Sequence, residues 1–185
     1  MKKLIAVAAA GALAFTLAGC SSAPKDDANA VPKADTQVES DKGAEPVSEY
    51  SFKDGVINTE DVTMTITETR VIPVGEVGNE YGKQPVIAFW YDVTNKTNKE
   101  ITPMTAWIAC VTAYQDTNPN QVNKLDVGSL PDQAFLSTQM ENIKEGGTAQ
   151  CAIAYYLDDE VTPVILKATK GLRGDEIGEQ EFAIA

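Results

Sequence analysis

The stretch Gln84-Pro85-Val86-Ile87-Ala88-Phe89-Trp90-Tyr91-Asp92-Val93-Thr94-Asn95 decides the fold. Read with the two-residue period of an extended chain, it puts Ile87, Phe89, Tyr91 and Val93 on one face and Val86, Ala88, Trp90 and Asp92 on the other. Both faces are apolar for most of the length, which predicts a central strand covered on two sides. Asn95-Lys96-Thr97-Asn98 then ends it in a polar turn.

Shorter runs of the same texture lie on either side. Phe52-Lys53-Asp54-Gly55-Val56-Ile57 carries an Asp-Gly pair between apolar flanks, the signature of a tight hairpin. Val62 to Thr67 alternates Val62, Met64 and Ile66 against three threonines, as a half-buried strand does. Further strands are expected over Trp107–Tyr114, Phe135–Ile143, Thr148–Leu157 (after Gly146-Gly147), Val164–Thr169 and Glu181–Ile184. Seven or eight short strands with turn signals between them, and no convincing helix past the first twenty residues, predict an all-β sandwich over residues 50–185. The second tryptophan, Trp107, has no clear face. Trp90 and Tyr156 fall opposite the core faces, where a second layer, a loop or a ligand stacking on the rings would cover them.

The N-terminal part is organised differently. Met1-Lys2-Lys3 is a positive head, Leu4 to Leu17 an apolar run too short to span a bilayer, and Ala18-Gly19 supplies the small residues that precede a cleavage site. Residues 1–19 therefore read as a signal peptide, which implies export. Residues 21–49 contain no aromatic residue and only three isolated valines among Pro, Ala, Asp, Glu, Lys and Ser. Such a segment buries too little apolar surface to offset its ordering entropy, so 20–49 is expected to be a disordered acidic tether reaching ~30 Å or more.

Composition narrows the function. The chain of 185 residues holds 15 Lys and Arg against 27 Asp and Glu. Loss of Lys2 and Lys3 with the signal leaves 13 against 27, a net charge of −14. That surface repels polyanions, which excludes a nucleic-acid partner. There is no histidine. Ser-His-Asp and Cys-His catalysis are excluded with it, a zinc site is disfavoured, and no cofactor is expected. Cys110 and Cys151 form an even pair in an oxidising compartment. A disulfide there would close a loop of about 40 residues and contribute roughly 4 kcal/mol; two buried thiols acting as small hydrophobes are the alternative.

Three surface motifs are candidate sites. Asp116-Thr117-Asn118-Pro119-Asn120 spaces oxygen side chains as the first half of a calcium loop does, but Gln121 replaces the turn glycine and Val127 the bidentate glutamate, so an EF-hand is excluded. A looser cation site would draw Asp116, Asn118 and Asn120 together with Asp126 or with Asp158, Asp159 and Glu160; a plain Asn/Asp-rich turn is the alternative. Two of those last acids facing each other would be the minimum for a carboxylate hydrolase. Arg173-Gly174-Asp175, between the last two strands, resembles the adhesion tripeptide read by integrins, although a glycine-rich hairpin loop alone explains its composition.

Leu17-Ala18-Gly19-Cys20 resembles the lipobox of bacterial lipoproteins. The resemblance implies that Cys20 becomes the N-terminus and carries a diacylglyceryl group, and two chains suffice for stable anchoring. Over nearly the whole chain, Val93-Thr94-Asn95-Lys96-Thr97, the Ile143-to-Thr148 step, and Tyr155-Tyr156-Leu157-Asp158-Asp159 with Pro163-Val164 resemble the immunoglobulin-like lipoproteins of Gram-positive bacteria that carry a domain of unknown function. These are in turn distantly similar to the secreted mycobacterial immunoprotective antigen. The resemblance implies an immunoglobulin-like sandwich and transfers no catalytic or binding residue. Antibody-type hallmarks are missing, since no tryptophan lies between Cys110 and Cys151 and residue 149 is alanine. The expectation is a non-enzymatic module on the outer face of the cell membrane, held there by lipid, with an unidentified envelope or extracellular partner. The alternatives are a divalent-cation sensor and a carboxylate-dependent envelope hydrolase.

Overall fold

A computed structural model describes residues 50–184. The signal peptide, Cys20 and the tether lie outside the described residues. Eight strands form two antiparallel sheets: β1 (Ser51–Lys53), β2 (Val56–Asn58), β3 (Val62–Ile72), β4 (Val86–Asn95) and β6 (Thr148–Tyr156) in the order β1-β2-β3-β4-β6, and β5 (Val111–Gln115), β7 (Val164–Thr169) and β8 (Glu176–Phe182) in the order β5-β7-β8. The fold is the β-sandwich that the alternating runs predict.

Strand β4 is central, with β3 on one side and β6 on the other. Its inward face, Ile87, Phe89, Tyr91 and Val93, lies in the main core with Trp107, Val111, Ala113, Ile153, Tyr155, Val164 and Leu166. Trp107 is fully buried; its indole N–H donates to the Tyr155 hydroxyl at 2.8 Å and its ring lies 4.3 Å from that of Tyr91. The outward face of β4 carries a smaller cluster of Ile72, Val86, Ala88 and Ala154, with Trp90 and Tyr156 packed against it. The ring of Trp90 is half-buried: its N–H donates to Asp132 at 3.0 Å, and the Arg70 guanidinium sits 5.0 Å from its centroid.

Asp54 and Gly55 both take positive φ (51° and 76°), which makes the β1–β2 connection the two-residue hairpin turn that Asp-Gly favours. Elsewhere three expectations need correction. Residues 107–110 are helical, in α1 (Pro103–Cys110), and the strand begins only at Val111. The cause lies upstream: the Thr102 hydroxyl accepts from the Thr105 N–H, the Thr105 hydroxyl answers the Thr102 N–H, and Pro103 occupies the first turn, where its missing N–H costs nothing. Residues 135–143 form no strand. Asp132 caps a single 3-10 turn, Gln133–Phe135, and further turns follow before Ile143 donates its N–H to Ile101. The last strand begins at Glu176, five residues before the predicted start.

Cys110 and Cys151 are both buried and unpaired, which overturns the expected disulfide. Each thiol has its own surroundings. Cys151 faces its cross-strand partner Tyr91 and reaches the Ala152 carbonyl at 3.6 Å, whereas Cys110 ends α1 beside a recess formed by Thr59, Asp61 and Ile101. Burial, with Asp61 adding to it, pushes the Cys110 thiol up to about 11, and burial raises Cys151 as well. Thiolate is therefore scarce at neutral pH.

The strand registers give the sandwich two distinct ends. Ser51, Asn58, Asn95, Thr148 and Val111 mark the end at which the chain enters from residue 50. The opposite, far end carries the connections 73–85, 116–123 and 157–163. A buried amide organises each end. Asn95 donates to the carbonyls of Lys99 and Ile143 at the entry end. Gln115 does the equivalent work at the far end.

Candidate functional site

Strand β5 alternates buried Val111, Ala113 and Gln115 with half-buried Thr112 and Tyr114, so Tyr114 stands on the outer face of the three-stranded sheet. Its register partner Ile165 and the neighbouring Lys167 of β7 share that face. The chain leaving β5 turns at once, with the Thr117 N–H donating to the Gln115 carbonyl at 3.0 Å. Asn118 shapes the tip: its Oδ1 accepts the Asn120 N–H at 2.9 Å and its amide donates to Gln121 Oε1 at 3.0 Å. This is the self-bonding that makes asparagine a turn former. The return leg runs back along β5, with Gln115 N–H to the Asn123 carbonyl and Leu125 N–H to the Ala113 carbonyl.

Between this hairpin tip and the sheet lies a groove of about 440 Å³. Tyr114, Ile165, Pro119 and Val122 supply its apolar surface, and Asn118, Asn120, Gln121 and Asn123 surround them with amides. One carboxylate, Asp116, and one ammonium, Lys167, complete the lining. Lys167 is engaged by Glu179 at 2.7 Å and Glu176 at 3.9 Å, and the bond to Glu179 holds its proton more tightly than usual.

Gln115 anchors the groove from behind. It is completely buried, donates to the carbonyls of Asp159 (3.1 Å) and Thr162 (2.7 Å), and accepts from the Asp158 N–H (2.8 Å). Asn123 adds a second tie, donating to Thr117 Oγ1 at 2.7 Å and to the Asp158 carboxylate. One glutamine thus fastens the 157–163 connection to the strand from which the groove loop springs. Motif reading missed it, although a polar residue at the inward position of an alternating strand was the available signal.

The predicted site residues separate into three places. Asp116, Asn118 and Asn120 line the groove. Asp158 is tied to Asn123 from outside, and Asp159 turns away into its own loop. There it accepts from the N–H groups of Thr162 (2.7 Å) and Val161 (2.9 Å) and from the Thr162 hydroxyl (2.8 Å), bonds that hold its carboxyl below the ordinary range. A carboxylate so occupied is a turn cap rather than a proton donor. Among the described residues no group of three or more His, Cys, Asp or Glu side chains converges as a metal cluster. Arg173, Gly174 and Asp175 occupy the exposed β7–β8 turn at the entry end, with Arg173 at φ 62° and Asp175 3.4 Å from the Lys170 ammonium. Lys170 in turn lies 5.0 Å over the Tyr50 ring, so the tripeptide sits beside the point of chain entry.

No described helix is long and apolar enough to cross a membrane. No curated protein matches the chain. Among solved structures it is similar to that of a candidate lipoprotein from Staphylococcus aureus subsp. aureus NCTC 8325, with a TM-score of 0.62 and 23% identity over 72% of this chain and 91% of that one. It also matches an uncharacterized β-sandwich protein from Clostridium difficile 630, with a TM-score of 0.44 and 14% identity over 77% of this chain and 99% of that one. The family model of a domain of unknown function, DUF5067, matches residues 35–170. That range takes in β1 to β7 and the groove, and the chain belongs to the DUF5067 family.

Proposed function

We propose that this protein is a non-enzymatic binding module of the bacterial cell envelope, anchored by lipid at Cys20 on the outer face of the membrane, with residues 50–185 as its folded domain. One observation carries the proposal: the groove lies at the end of the sandwich opposite the point where the chain enters. A domain held by its N-terminus presents that far end outward. The loops clustered at one end of a sandwich are also where such folds place their binding surfaces. Large apolar side chains are exposed there on all three connections, Val77 and Tyr81 on the first, Val122 on the second and Val161 on the third. The lipobox at Cys20 and the fold shared with a candidate lipoprotein support the anchor.

The test places a photo-crosslinking amino acid at Val122 in the far end and, separately, at Leu172 in the entry-end turn, in the full-length protein in its own cells. Envelope adducts from position 122 and none from position 172 are expected. Equal adducts from both, or none from 122, would overturn the proposal. So would a Cys20→Ala protein that stays in the membrane fraction.

A further inference from the structure

We infer that the groove over the three-stranded sheet is a binding site for a neutral saccharide, with Tyr114 as its stacking platform and the amides of Asn120, Gln121 and Asn123 as its hydroxyl partners. The inference rests on the far end being the binding end and names what it binds.

The lining selects the ligand class. The protein is strongly acidic, yet the groove holds one carboxylate and one ammonium, and that ammonium is already neutralised by Glu179. A phosphate or carboxylate ligand finds no unspent cation there, and a cationic ligand finds a single acid. Neutral polar groups dominate instead. Among the described residues the side-chain amide of Asn120, the amide nitrogen of Gln121 and Oδ1 of Asn123 have no hydrogen-bond partner, while Asn118 and the other half of each contact hold the loop in shape. Unspent amide donors and acceptors beside an aromatic ring suit a pyranose, whose hydroxyls lie around the rim and whose C–H groups pack on the ring.

An extended peptide fits less well. It would gain affinity by adding to a strand edge, but the edge of β5 beside the groove is taken by residues 123–125. A proline-rich peptide needs several aromatic ridges, and the groove has one. The volume of about 440 Å³ lies within the usual range for small-ligand sites, with room for more than one sugar ring.

The experiment titrates the full-length lipidated protein in detergent micelles with chitobiose, cellobiose and maltose as neutral probes and a digalacturonate as the charged one, read by saturation-transfer NMR. At least one neutral disaccharide is expected to bind, Tyr114→Ala and Asn120→Ala each to weaken it by about tenfold, and Asp175→Asn at the entry end to leave it unchanged. Asn120 is exposed and its side chain holds no part of the fold, so its variant reports on the site even if Tyr114→Ala disturbs the sheet. Absence of neutral binding, affinity insensitive to Asn120→Ala, or tighter binding of the digalacturonate would each overturn the saccharide assignment. Those results leave the crosslink from position 122 as a separate reading: an adduct that is protein rather than glycan keeps the binding end and replaces its ligand.

Discussion

Gln115 shows how one residue sets the geometry of a site it does not complete. An amide offers two donors and a two-lone-pair acceptor, and burial obliges most of that capacity to be used. The far end supplies the carbonyls of Asp159 and Thr162 and the N–H of Asp158 within reach. Gln115→Ala leaves three backbone groups without partners and opens a void, so it should cost about 3 kcal/mol in urea unfolding. Gln115→Glu should cost at least as much, because a carboxylate would face two carbonyl oxygens and stay unpaired. Asn120→Ala, on the exposed tip of the same loop, should fall within about 0.5 kcal/mol of the parent. A Gln115→Ala protein as stable as the parent would show that the two connections are held by something other than this amide.

Elements were legible wherever a two-residue period met a one-sided burial. Strands β3, β4, β6 and β7 follow the alternation of Val62, Met64 and Ile66 and its counterparts, and the Asp54-Gly55 turn follows from the only backbone those residues favour there. Helix α1 was not legible by that route, because Trp107-Ile108-Ala109-Cys110 runs apolar straight into Val111 and carries no period of its own. Its signal was the cap, Thr102-Pro103 with Thr105, which fixes the chain direction before the apolar run begins. The strand expected over Phe135–Ile143 fails for a different reason: the chain from Pro131 to Phe135 is held beside Trp90, and that role is tertiary. Asp132 is its fastening, and the indole N–H first, then the Ala134 N–H, hold its carboxyl below the usual range against desolvation, with the Arg70 charge adding least. A carboxyl whose value is depressed in the folded state contributes stability above its ordinary value near 4, and that contribution disappears as the pH falls through the folded value. Acidification from pH 5 toward pH 2 should therefore loosen this segment, with the change seen in the Trp90 indole N–H resonance before the buried Trp107 signal moves. The Trp90 and Ala134 N–H groups donate to different oxygens of Asp132, so Asp132→Asn removes the titration and keeps an acceptor for only one of them. The segment should be looser already at neutral pH, and its Trp90 resonance should then shift only with global unfolding.

At the scale of the molecule, the two ends carry different chemistry, and the proposed anchor at Cys20 would hold the entry end nearer the membrane. The entry end holds the Lys99–Asp61 pair, the Lys170–Asp175 pair over Tyr50, and the Arg173-Gly174-Asp175 turn. The far end holds the neutral groove and the exposed valines. The central strand β4 spans ten residues, so the two ends lie ~33 Å apart at the usual rise, a distance comparable to the ~30 Å reach expected of the tether. Deleting residues 24–47 while keeping Cys20 should therefore bring the entry end against the lipid headgroups without hiding the far end. Single cysteines at Val122 and Leu172, in a chain whose buried Cys110 and Cys151 remain unreactive, can be labelled on whole cells with a membrane-impermeant maleimide. Both should label with the full tether, and the deletion should cut labelling at 172 several-fold while leaving 122 unchanged. Equal loss at both positions would mean that the domain lies on its side, and the groove would then face the membrane plane rather than the space beyond it.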